Sequence, residues 1–90
     1  MGHVAKEKEK LLKRLRRVRG QIEALERAVE ADHECAGVLQ QATSCRGAID
    51  GFIAEVIEDH IREHMIDPED AKERVQAADD LIEIVHRYLK

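Results

Sequence analysis

Apolar residues recur along this chain at helical spacings. From about Ala5 to Ala31, the positions Leu11, Leu15, Val18, Ile22, Leu25 and Val29 alternate steps of four and three, a heptad-like seam on one helix. Asp32 and His33 break the pattern, and Asp32 is expected to cap the next helix. That second helix is expected from about Glu34 to Met65, with a broad apolar side running from Cys35 and Val38 through Cys45, Phe52 and Val56 to Ile61. Gly47 and Gly51, one turn apart on it, would let a neighbouring helix approach closely. Asp67-Pro68 should end it, because a residue before proline avoids helical angles and proline suits a first helical turn. A third helix is expected from about Pro68 to Tyr88, with Val75, Ala78, Leu81, Ile82 and Val85 on one side.

The pattern therefore predicts an all-α, three-helix protomer, with residues 1–90 as a single domain. A second helix of this length spans roughly 45 Å, and the shorter third helix cannot cover it. Its wide apolar side needs more partners than one chain supplies, so an obligate dimer or larger assembly of long antiparallel helices is expected. A monomeric three-helix bundle is the alternative. Phe52 and Tyr88 are the aromatic residues, so the core must come from aliphatic side chains. No apolar run is long enough to span a membrane, and the basic N-terminus lacks the apolar stretch of a secretory signal. Cys35 and Cys45, ten residues apart on one helix, lie roughly 15 Å apart and cannot form a disulfide. Free thiols in a reducing cytoplasm are expected.

Charge changes the picture. The net value of −4 conceals a basic segment, residues 6–19, with eight basic and two acidic side chains against seven and seventeen elsewhere. On a helical wheel Lys6, Lys10, Lys13, Arg14 and Arg17 fall within about 100°, away from the apolar seam, and Gln21 extends the stripe by a turn. A rigid cationic stripe is suited to a polyanion, because each cation placed near a phosphate releases counterions. A solvated helix face balanced by Glu7 and Glu9 would look similar. No helix-turn-helix spacing, zinc-finger pattern or aromatic RNA-binding set is visible.

His60 and His64 form the other candidate chemistry. Four apart on a helix, they share one face and could hold one metal ion. With Glu63 they also fit the H-x-x-E-H pattern of inverted zinc peptidases, but ninety residues leave little room for a substrate cleft and a further ligand helix. Cys35 is the best additional ligand, because thiolate binds late first-row metals well. It precedes His60 by 25 residues, roughly 37 Å along a straight helix. The two can meet only if two copies of the helix run antiparallel, Cys35 of one beside His60 and His64 of the other. His3, on an N-terminal arm, could close over such a site. His33 suits a capping or surface role, Cys45 a buried one, and His86 a surface one.

The stretches "RLRRVRGQIEALERAVE" and "HECAGVLQQATSCRGAIDGFIAEVIEDHIREH", with the final "YLK", resemble the CsoR/RcnR/FrmR family of bacterial repressors across nearly the whole chain. The resemblance implies a dimer of dimers, a homotetramer that binds operator double-stranded DNA and releases it when an inducer occupies an inter-subunit site. It implies DNA-contacting roles for Lys10, Arg14, Arg17 and Gln21, and metal-ligating roles for His3, Cys35, His60 and His64. Copper sensors of the family carry Cys where His64 stands. One thiolate with several imidazoles suits Ni(II) or Co(II), as in the RcnR and DmeR branch, with Zn(II) as a non-native occupant. A formaldehyde-responsive repressor using Cys35 is an alternative, although formaldehyde sensors use an N-terminal Pro where this chain has Gly2. A helical assembly module without a metal or DNA role is another.

Overall fold

The computed structural model describes residues 7–89. Three α-helices, α1 (Lys8–Glu30), α2 (Cys35–Ile61) and α3 (Ala71–Tyr88), account for most of them, and a π-helical turn, Arg62–Ile66, extends α2. The three-helix, all-α expectation holds. α1 folds back antiparallel along α2, which pairs Gln21 with Gln41 and Lys10 with Glu55. α3 touches mainly the π turn and the end of α2.

The helix ends differ from the expected ones for identifiable reasons. Asp32 does not cap α2. It has a left-handed backbone, φ 55°. His33 N–H donates to Ala28 O and Asp32 N–H to Val29 O, both at 3.1 Å. This is the paired-bond pattern that closes a helix C-terminus, with Asp32 in the place glycine usually takes. Asp32 thus terminates α1, and Glu34 precedes α2 without a side-chain cap bond. Pro68 does not open α3. Asp70 does, its carboxylate accepting the Glu73 N–H at 2.8 Å and satisfying one of the donors every helix start leaves over. α2 stays helical past Ile61, but its last turn widens, with Asp67 N–H reaching back five residues to Arg62 O at 3.0 Å. The Arg74 guanidinium donates to Met65 O there, at 3.0 Å.

The chain is elongated and thin, 54 × 28 × 15 Å across its principal axes. Its shortest dimension is little more than one helix diameter, about 10–12 Å with side chains, so few residues have neighbours on all sides. The buried apolar residues are Leu11, Val18, Ala28, Cys45 and Ala77, and no large side chain is fully enclosed. The α1 seam is therefore half realised. Leu11 and Val18 pack inward, while Leu15 and Ile22 stay exposed. Leu39, Ile49, Val75, Ile82, Ile84, Val85 and Tyr88 are exposed as well. Between α2 and α3 lies an open apolar groove of about 300 Å³, with Phe52, Val56 and Ile57 on one side and Leu81, Ile84 and Tyr88 on the other. A single copy does not close a core. That inventory is what a subunit presents, since uncovered apolar surface of this extent marks an interaction face.

Candidate metal and nucleic-acid sites

His60 and His64 occupy the join between α2 and the π turn, and their rings are neighbours, with centroids 5.2 Å apart and planes inclined by 57°. Each is anchored to α3. His60 Nε2 lies 3.0 Å from Ala77 O, so that nitrogen carries the proton and Nδ1 keeps its lone pair. His64 is buried, with 8 % of its surface exposed. Its Nδ1 stands 2.6 Å from Glu73 Oε2, and its Nε2 4.0 Å from Glu63 Oε2. Ligation through His64 Nε2 would leave the Glu73 contact intact. Glu73 also accepts the Glu69 N–H through its other oxygen. The start of α3 and the orientation of His64 thus depend on the same carboxylate. Outer contacts of this kind orient ligating imidazoles in metal sites.

Cys35 is exposed at the opposite end of α2. The intervening helix is continuous from Cys35 to Ile61, so its thiol is roughly 37 Å from the histidine pair of the same chain. Among the described residues, no group of three or more His, Cys, Asp or Glu side chains within one chain could hold a metal ion. His3 lies outside the described residues. Cys45 is buried, as expected of it, and His33 and His86 are exposed. Glu63 differs from its expected surface role. Its side chain is only 13 % exposed and faces His64.

The basic stripe is assembled on one side of α1, and three of its members meet α2. Lys10 Nζ is 2.6 Å from Glu55 Oε2, and Arg14 Nη2 is 3.2 Å from Glu55 Oε1. The hydrogen bond from Lys10, followed by the charges of Lys10 and Arg14, holds the Glu55 carboxyl below its ordinary range despite opposing desolvation. The same bond raises Lys10. Gln21 accepts from Gln41 Nε2 at 2.8 Å. Arg17 is exposed. Between the two helices is a recess of about 290 Å³, lined by Arg14, Arg17 and Gln21 from α1 and by Ser44, Gly47, Ala48 and Gly51 from α2. The small residues make this recess possible. A Cβ on Gly51 would lie 3.1 Å from Arg14 Nη1, so the close approach expected of this glycine pair is made by an arginine, at Gly51. Lys6 lies outside the described residues.

Sequence reasoning missed Glu55 and Glu73. Neither falls in a motif, and each acts through a contact distant in sequence. The signal for Glu73 was available in Asp70-Ile/Ala-free spacing alone: an Asp three residues before a Glu at a helix start is the capping-box arrangement.

Residues 7–87 match the family model described as metal-sensitive transcriptional repressor. The chain is 43 % identical over 91 residues to an uncharacterized protein in the bioA 5′ region of Serratia marcescens, with all of both chains covered. It is 37 % identical over 90 residues to the transcriptional repressor RcnR of Salmonella paratyphi B, again with all of both covered. Among solved structures it is similar to a glutamate-to-histidine variant of the formaldehyde-responsive regulator FrmR from Salmonella enterica serovar Typhimurium. The TM-score is 0.82 at 36 % identity, covering 92 % of this chain and 94 % of that one.

Proposed function

The chain belongs to the metal-sensitive transcriptional repressors, and on that premise we propose that it is a homotetrameric Ni(II)- or Co(II)-responsive repressor, which holds operator DNA when metal-free and releases it when the ion binds, derepressing a metal efflux gene. As a member of that family it is a regulator and not an enzyme, so the H-x-x-E-H spacing has no peptidase role.

The observation that carries this reading is the separation within α2. Two adjacent, oriented imidazoles stand at one end and an exposed thiol at the other. Two antiparallel copies joined through the apolar groove of α2 and α3 would bring Cys35 of one beside His60 and His64 of the other. His3 would complete the donor set. One thiolate with imidazoles is a borderline donor set, suited to Ni(II) or Co(II) and admitting Zn(II). Lys10, Arg14, Arg17 and Gln21 would supply the phosphate-facing side, in keeping with their place along one helix and beside the α1–α2 recess. If metal favours the DNA-free form, DNA must lower metal affinity by the same factor.

Titrating Ni(II) and Co(II) into the tetramer bound to its operator tests this. DNA affinity should fall as metal saturates, and undiminished affinity at saturation would sink the proposal. The likeness to FrmR favours a second reading, a formaldehyde-responsive repressor using Cys35. It requires derepression by formaldehyde in chelated medium, which the metal reading does not. The chain carries no helix long and apolar enough to cross a membrane among its described residues, consistent with action in the cytoplasm.

A further inference from the structure

The basic stripe does not face solvent as bare charge. Glu55, one side chain of the otherwise acidic body, reaches across from α2 and divides its two oxygens between Lys10 and Arg14. The arrangement is a built one. Lys10 and Arg14 are one turn apart on α1, and Gly51 and Glu55 one turn apart on α2. The missing side chain at Gly51 admits the Arg14 guanidinium, and Glu55 beyond it receives the charge. Only 14 % of the Glu55 side chain is exposed, whereas Lys10 and Arg14 keep 48 % and 40 %. The two cations therefore remain within reach of a phosphate, while their neutralising partner is held behind them. Glu7, 3.9 Å from Lys10, is a weaker second partner.

We propose that Glu55 is an internal competitor for DNA phosphate, restraining Lys10 and Arg14 so that the stripe meets any duplex, whatever its sequence, with one effective cation fewer per subunit than α1 carries. This rests on the reading of the stripe as a DNA-binding face. Sequence-independent binding is driven by counterion release, with log K falling by about 0.9 per log unit of salt for each phosphate neutralised. A carboxylate lodged between two cations removes one such unit. The consequence falls on non-operator DNA, whose binding rests on this term almost entirely.

The test is duplex affinity across a salt series, with a random-sequence 40-base-pair duplex as probe, for the wild-type protein, Glu55→Gln, Glu55→Asp and Glu58→Gln. Glu58 lies on the same helix, but its partner is Arg62, so its variant reports what loss of any negative charge does. Glu55→Gln should bind more tightly at low salt. Between about 50 and 200 mM salt its affinity should fall by an extra factor of about 3 for each subunit on the duplex. Glu55→Asp keeps the charge and should follow the wild type. An unchanged or shallower salt slope in Glu55→Gln, or an equal change in Glu58→Gln, overturns the proposal. Weaker binding by Glu55→Gln would also overturn it and would show instead that the carboxylate holds the cations in place for DNA. Far-UV circular dichroism checks folding, and Glu55→Met, of similar length, repeats the test if Gln disturbs the helix pair. Wild-type binding with no Glu55 effect would remove this inference alone. No duplex binding by any variant at the lowest salt would remove the DNA reading and this inference with it.

Discussion

Mixing two defective chains should restore metal binding. Cys35→Ala removes the thiol from one end of α2, and a His60→Gln/His64→Gln double variant removes both imidazoles from the other. Glutamine retains an N–H donor for Ala77 O and for the Glu73 carboxylate, so the second variant keeps the contacts to α3. The 25 residues from Cys35 to His60 correspond to roughly 37 Å of helix, whereas one ion holds sulfur and nitrogen ligands at about 2.0–2.3 Å. A complete donor set must therefore come from two chains. In an antiparallel mixed dimer, one site receives both defects and the other receives none. Random pairing makes about half the dimers mixed, so about a quarter of all sites should be intact. The assay is the thiolate-to-Co(II) charge-transfer absorption after the two chains are co-refolded at equal concentration. Each parent alone should lack the band, and the mixture should show about a quarter of the wild-type amplitude. No band in a mixture that folds and assembles would refute the inter-chain site. A full band in either parent would refute the ligand assignment.

Other consequences are more local. Arg17→Ala should weaken duplex binding and flatten its salt dependence by about 0.9 per subunit engaged; salt-series titration reads this. Asp70→Ala deletes the α3 cap bond and should cost about 1 kcal/mol. In a thermal melt at matched protein concentration this is a fall in Tm of about 4–8 °C for a chain of this size. Gly51→Ala should raise Tm, because the residue is helical and glycine costs up to about 1 kcal/mol there, while the Arg14 terminus it meets can shift aside. For Glu55, the folded-state value is depressed below the ordinary 4.5. Its stabilising contribution is therefore present above that value and lost as pH falls through the lowered one. Lys10 is raised above 10.5, so its share is present below that value and lost as pH climbs past the raised one. The Tm difference between wild type and Glu55→Gln should hold across neutral pH and shrink on acidification below 4.5.

The helices were legible because their apolar periodicity is a local property, repeated over many turns. Their ends were not, because two competing signals stood within a few residues of each other. Asp32 suits a helix start by composition, but the chain uses it in a left-handed turn to close the helix before it. Pro68 suits a first turn, but Asp70 two residues on captures the Glu73 N–H. The His60–His64 pair and the Lys10–Arg14–Arg17 stripe could be read because each lies on one helix at helical spacing. Glu55 and Glu73 could not. One of seventeen acidic residues outside the basic segment becomes distinctive only when two helices fold together and set it 45 residues away from Lys10 in sequence and 2.6 Å away in space. The exposure of Leu15 and Ile22 has a similar origin, since a seam pattern shows which side of a helix is apolar but not whether the same chain covers it.

The widened turn at Arg62–Ile66 bears on how this protein tolerates change. A π turn holds one residue more than the α-helical path it replaces, and it falls where one histidine sits before the extra residue and the other within it. Deleting a single residue there would leave His60 in place and swing everything beyond it about 100° around the helix axis. His64 would turn away from Glu73, and the loop to α3 would enter from another side. The segment works as a phase adjuster between two ligands. Single-residue insertions and deletions here should therefore be far less tolerated than substitutions at the same positions, in contrast to the loop at 67–70 a few residues on.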